Sequence, residues 1–192
     1  MDPAARTEPD ARELIALARR DPRAAEQAIA ALPIPAQVAL VCESPLAERG
    51  RILGLVPHPE ALIPEIPPAE LCFTIKAIGL ADAAWVLEYA TPEQSVAAFD
   101  LDAWRGNEVD VATANEWIQA FARTSPEARL RTLEALDAEL LVIALRARIG
   151  VVQKPDDAEG WAPPEGSQTL EGQFHYWALA PCSRAPTGAI SG

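Results

Sequence analysis

Prolines at near-regular intervals constrain this chain more than any other feature. Pro22, Pro35, Pro45, Pro57, Pro68 and Pro92, with Asp82 between the last two, stand about ten to fourteen residues apart. Proline has no N–H and a fixed φ, so it suits the first turn of a helix and breaks an interior. Each spacing leaves room for one short helix and almost no loop. Alanine and leucine fill the intervals, and aromatics are only 6% of the chain, a balance that favours helix over strand. Short turns force neighbouring helices to pack antiparallel or at steep angles. A row of such hairpins, none able to bury its apolar face alone, is the pattern of an α-superhelix. The fold class expected is therefore all-α: an irregular superhelix or bundle of about eight to ten short antiparallel helices, with a mostly disordered C-terminal tail.

The start signals place those helices. Ala11–Arg20 forms the first, with Leu14, Ile15 and Leu17 as its apolar face. Asp21-Pro22 reads as N-cap and first helical residue of a helix to about Leu32. Pro33 and Pro35 then open residues 36–43, and Ser44-Pro45 opens residues 46–56, with Leu46, Ile52, Leu53 and Val56 inward. A short helix covers residues 60–66. After Pro67-Pro68, Leu71, Cys72, Ile75 and Ile78 fall on one helical face, and Gly79 ends it. Asp82 is read as the cap of a helix through Trp85, Leu87 and Tyr89. Thr91-Pro92-Glu93-Gln94 is the cleanest start, a capping box with proline at its first position, leading to Val96 and Phe99. Beyond the loop 100–110, one helix carries Ala114, Trp117, Ile118 and Phe121. Another, capped by Ser125-Pro126, carries Leu130, Leu133 and Leu136, and a last one runs from Asp137 to about Ile149.

The organisation read from this pattern is a disordered 1–10, a helical domain over 11–152, a linker over 153–168 and a tail over 169–192. The linker is acidic, aperiodic and rich in proline and glycine. TLEGQFHYWALA reads as a single strand with nothing to pair with.

Charge narrows the function classes. A net charge of −12 and a pI near 4.6 argue against nucleic acid, whose phosphates need clusters of lysine and arginine. Leu140–Leu145, the most apolar run, is too short to span a bilayer, so no membrane insertion is expected. The first residues lack a basic start followed by an apolar run, as a secretory leader would have. A soluble cytoplasmic protein is the expectation. Cys42, Cys72 and Cys182 are widely spaced and odd in number, unlike a disulfide framework; Cys42 and Cys72 read as small core residues.

The chemical motifs are sparse. The sequence holds no GxGxxG, GxxxxGK or G-x-S-x-G pattern, and no CxxC or HxxxH. His58 lies in a proline turn and His175 among aromatics, far apart. The loop from Asp100 has the acidic spacing of a calcium loop, but its sixth position is Arg105 and its twelfth Val111, where glycine and glutamate are needed. Its structural reading is that Asp100 or Asp102 pairs with Arg105, Trp104 fills a gap between helices, and Gly106 permits the turn. Lys76, one of two lysines, stands beside an apolar stripe, where a snorkelling side chain explains it. No catalytic, cofactor-binding or metal-ligating residue is assigned. The residues singled out as functional candidates are Lys76, Asp100, Asp102, Trp104 and Arg105.

The stretch 71–106 carries a resemblance. Thr74-Ile75-Lys76, Ile78-Gly79, Asp82-Ala83, Thr91-Pro92-Glu93-Gln94, Asp100-Leu101-Asp102 and Trp104-Arg105-Gly106 together resemble the core pattern of a bacterial family, domain of unknown function 6178. The likeness runs from about Leu32 through Asp157, and TLEGQF over 169–174 is similar to the family's later part. The resemblance brings no catalytic residue. It implies a chain that continues further, with 169–192 as the start of a truncated second part. In rhythm only, the helices also resemble the helical N-terminal domain of MgtE-type magnesium transporters. The function expected is a non-enzymatic protein-interaction scaffold for an unknown protein partner. The alternative is an acidic regulatory or sensor module that binds a divalent cation weakly, and an enzyme using Lys76 or the Asp100–Asp102–Arg105 cluster comes last.

Overall fold

The computed structural model describes residues 11–146, 148–157 and 159–179. The expectations for 1–10, for Cys182 and for 180–192 lie outside the described residues. The chain divides at Asp137/Ala138 into two compact units.

The first unit is helical. Its elements are α1 (Ala11–Arg20), α2 (Pro22–Ala30), α3 (Ile34–Glu43), α4 (Leu46–Leu53), α5 (Pro59–Leu62), a 3-10 turn (Ile63–Glu65), α6 (Pro68–Ile78), α7 (Ala84–Leu87), α8 (Pro92–Asp102), α9 (Val111–Phe121) and α10 (Pro126–Ala135). The proline rule holds for most starts: Asp21, Thr91 and Ser125 accept backbone N–H groups at their N-caps, each with proline next. The box at Thr91 is complete, with Gln94 reaching back to the Thr91 N–H at 2.8 Å. Two expected caps are corrected. Ser44 ends α3 instead of starting α4, donating its hydroxyl to Leu40 O at 2.6 Å. Asp82 leaves α7 uncapped, since Ala83 holds the N-cap position without a side-chain bond. Gly79 ends α6 at φ +98°, a conformation that favours glycine.

α1 packs on α2, and the even-numbered helices from α4 onward form a row. α6 lies between α4 and α8, and α8 between α6 and α10. Cys72 meets Ala98 O across α6 and α8, and Lys76 meets Asp102. Both contacts advance by four residues on each helix, so these two neighbours run in the same direction, not antiparallel. The intervening α7 makes that possible. Leu71, Cys72 and Ile75 of α6 are buried, as are Ala98 and Phe99 of α8. Each fully buried large side chain contributes about 1.5–3 kcal/mol. The core between α8 and α9 is aromatic: Phe99 stacks on Phe121 at 5.8 Å, with Trp117 tilted against both.

The expected all-α class is corrected by two small antiparallel sheets. The loop 100–110 is the end of α8 followed by a hairpin, β1 (Trp104–Arg105) with β2 (Glu108–Val109), turned at Gly106 (φ +66°). Trp104 is exposed on it and fills no gap between helices; Trp117 does that instead.

The second unit holds α11 (Ala138–Leu145) and a sheet ordered β3 (Ile149–Gln153), β5 (Phe174–Ala178), β4 (Gln168–Leu170). The strand read in TLEGQFHYWALA is two strands, and it has a partner in β3. Residues 149–153 are β-branched except at Gly150 and Gln153, which suits a strand. Gly150 is needed there: a Cβ would lie 2.3 Å from the Trp177 indole directly across the ladder.

Candidate functional site

Of the five sequence candidates, two meet at one point. Asp102 ends α8 with its carboxylate turned toward α6 and is buried; Lys76, in the last turn of α6, donates to one oxygen. The other oxygen accepts the Trp117 indole N–H at 2.9 Å. Both oxygens of this carboxylate are therefore engaged. Arg105 does not pair with Asp100 or Asp102, as the sequence reading expected. It approaches Asp110 at 3.8 Å instead. Asp110 caps α9 through the N–H groups of Ala112 and Thr113, and these bonds, Thr113's first, hold its carboxyl below the usual range. Asp100 is exposed and Trp104 lies on the outer hairpin.

Lys76, Asp102 and Arg105 line a shallow depression of about 310 Å³ with Leu80, Thr113 and Glu116. Its rim has two cations and two carboxylates. Among the described residues, no three His, Cys, Asp or Glu side chains gather to hold a metal ion. Cys72 is no nucleophile at neutral pH. Burial first, and then the Asp102 carboxylate, push its thiol up to about 11, and the thiolate is the reactive form.

Sequence reading missed three polar nodes. Arg49 of α4 is buried and donates to Cys42 O and Ser44 O (3.1 Å) at the end of α3, and to the Glu70 carboxylate of α6 at 2.6 Å. Three elements converge on one guanidinium, whose planar fork suits such a task. Gln94, besides closing its box, donates to Ile63 O and Ile66 O, tying α8 to the 3-10 turn. Glu88 accepts the Ser125 hydroxyl at 2.6 Å and the Ser125 N–H at 2.8 Å, and these bonds lower its pKa. The local signals are the capping box for Gln94 and the cap for Ser125, neither of which reveals the second partner, and for Arg49 an arginine four residues past a proline start, which is also common on exposed helix faces.

The described residues thus define a mainly helical protein with two small sheets, held by polar clamps between helices. No helix among them is long and apolar enough to cross a membrane. The chain belongs to a family of unknown function, DUF6178, whose model matches residues 26–186. No curated protein and no solved structure matches, so the likeness in rhythm to the MgtE-type domain finds no support.

Proposed function

We propose that the protein is a non-enzymatic helical scaffold that binds another protein through the outer face of its stacked helices. The supporting observation is the exposure of large apolar side chains: Leu130 (56% exposed) with Leu133 (39%) at helical spacing on α10, and Trp85 on α7 with Tyr89 in the turn that follows it. Residues three or four apart share a helix face. Left in water, such side chains forgo about 1.5–3 kcal/mol each, and grouped apolar exposure marks interaction surfaces. The stacking of α4, α6, α8 and α10 supports the superhelical reading, in which α10 is the last helix of the row and presents a face that a further layer would cover.

The polar features read as devices that seat helices. Lys76 and Asp102 satisfy each other, and Asp102 also seats Trp117. For the cation-sensor reading, no group of three or more His, Cys, Asp or Glu side chains among the described residues is placed to hold a metal ion. A photo-crosslinking residue placed at Leu133 in the cell tests the scaffold. It should capture one discrete partner that the same group at exposed Glu93 does not. Equal capture from both positions, or none from either, would overturn the reading.

A further inference from the structure

The second unit carries an apolar surface of its own. Alternate residues of a strand share a face, and the register pairs Tyr176 with Val151 and Gln168, and Phe174 with Gln153 and Leu170. Val151, Tyr176, Phe174 and Leu170 therefore lie side by side on one face. Val151 is 63% exposed, Leu170 61% and Phe174 44%. The Tyr176 hydroxyl donates to Gln168 Oε1 at 2.8 Å on that same face, so its one polar handle is already held. The opposite face is furnished differently: Trp177 covers Gly150, and Trp161 stands edge-on to His175 at 5.1 Å.

Charge selects the occupant. Residues 149–179 contain five carboxylates and one basic side chain, Lys154. Asp156 and Asp157 follow β3, and Glu171 sits in the β4–β5 turn. All three follow the strands beyond the Gln153–Phe174–Leu170 end of the ladder, as does the single Lys154, and all four are exposed. A second copy laid on this face would bring five carboxylates and one lysine against the same set, on chains of net charge −12; like charge so placed suppresses association. We propose that this sheet face docks a protein segment whose apolar side chains are flanked by lysine or arginine. The proposal rests on the scaffold reading only in taking the ligand to be a protein.

Fluorescence anisotropy on the full chain tests it, with two labelled probes: a peptide of alternating Leu and Lys, and one of alternating Leu and Glu. The Leu/Lys peptide should bind and the Leu/Glu peptide should not. Phe174→Ser, which changes no charge, should weaken binding about tenfold, and Val151→Ser, at the most exposed position, should weaken it as well. Asp156→Asn with Glu171→Gln should weaken it several-fold. Amide spectra of both serine variants report whether the sheet is intact. Unchanged affinity in Val151→Ser and Phe174→Ser would mean adsorption by charge alone and overturn the proposal. Equal binding of the two peptides would overturn it too, as would a native dimer that Phe174→Ser converts to monomer. Crosslinking from Leu133 reads the helical face and this titration reads the sheet, so either result can fail while the other stands.

Discussion

The carboxylate of Asp102 accepts the indole N–H of Trp117 at 2.9 Å, and both residues are buried. Because Lys76 takes the other oxygen, one side chain joins α6, α8 and α9. Removing it orphans a buried indole donor, whereas the half-exposed lysine regains water. Asp102→Ala should lower unfolding free energy by about 2–3 kcal/mol. Asp102→Asn, which keeps an acceptor, should lower it by about half as much. Urea denaturation checks the order; equal losses would show that charge, not the indole bond, dominates.

Arg49 has a stricter requirement. Lysine cannot reproduce its fork to Cys42 O, Ser44 O and Glu70. Arg49→Lys should lose about 2–3 kcal/mol, close to the loss in Arg49→Ala, since either leaves buried carbonyls without donors. Glu70 is partly exposed, so Glu70→Gln should lose less than about 1 kcal/mol.

Gly50 is fixed by its neighbour. A Cβ there would lie 2.8 Å from Ile78 Cγ1, where α4 meets α6. Alanine favours a helix by about 1 kcal/mol over glycine, but overpacking costs about 1–3 kcal/mol. Gly50→Ala should therefore destabilise, and in the background of Ile78→Ala the same change should become neutral or stabilising. A double-mutant cycle reads this directly.

Glu88 gives a pH dependence with a definite sign. Its folded pKa lies below the ordinary 4.5, chiefly through the Ser125 hydroxyl bond. A lowered carboxyl pKa adds stability that is fully present above the unfolded value and is lost as pH falls through the folded value. Between pH 6 and about pH 3, the parent should lose more stability than Glu88→Gln, and their stability curves should converge at the acid end. Parallel curves would contradict the assignment.

Much of the helical unit was legible because its signals are local. Asp21-Pro22, Thr91-Pro92 and Ser125-Pro126 act within one turn, and Gly79 needs only its own φ. What could not be read depends on distant partners. β3 and β5 pair across the segment 154–173, which includes β4, so local pattern extends the last helix to Ile149 and shows no partner for the strand at 174–178. The loop spacing pairs Asp100 or Asp102 with Arg105, because nothing local reveals that the Asp102 side chain turns toward Lys76 on another helix. The spacing of Leu130, Leu133 and Leu136 shows a stripe along one helix, not whether a neighbour covers it. The burial of Arg49 exists only once α3, α4 and α6 have met, so no local pattern marks it.

Paired substitution on α10 tests the scaffold most directly. Leu130→Gln with Leu133→Gln keeps helix propensity and charge while removing the apolar face. The melting temperature should stay within about 4 °C of the parent's, because exposed positions contribute little to the fold. Co-purification of the partner identified by crosslinking from Leu133 should fall to background in the double variant. An unchanged melt with undiminished partner recovery would contradict the account.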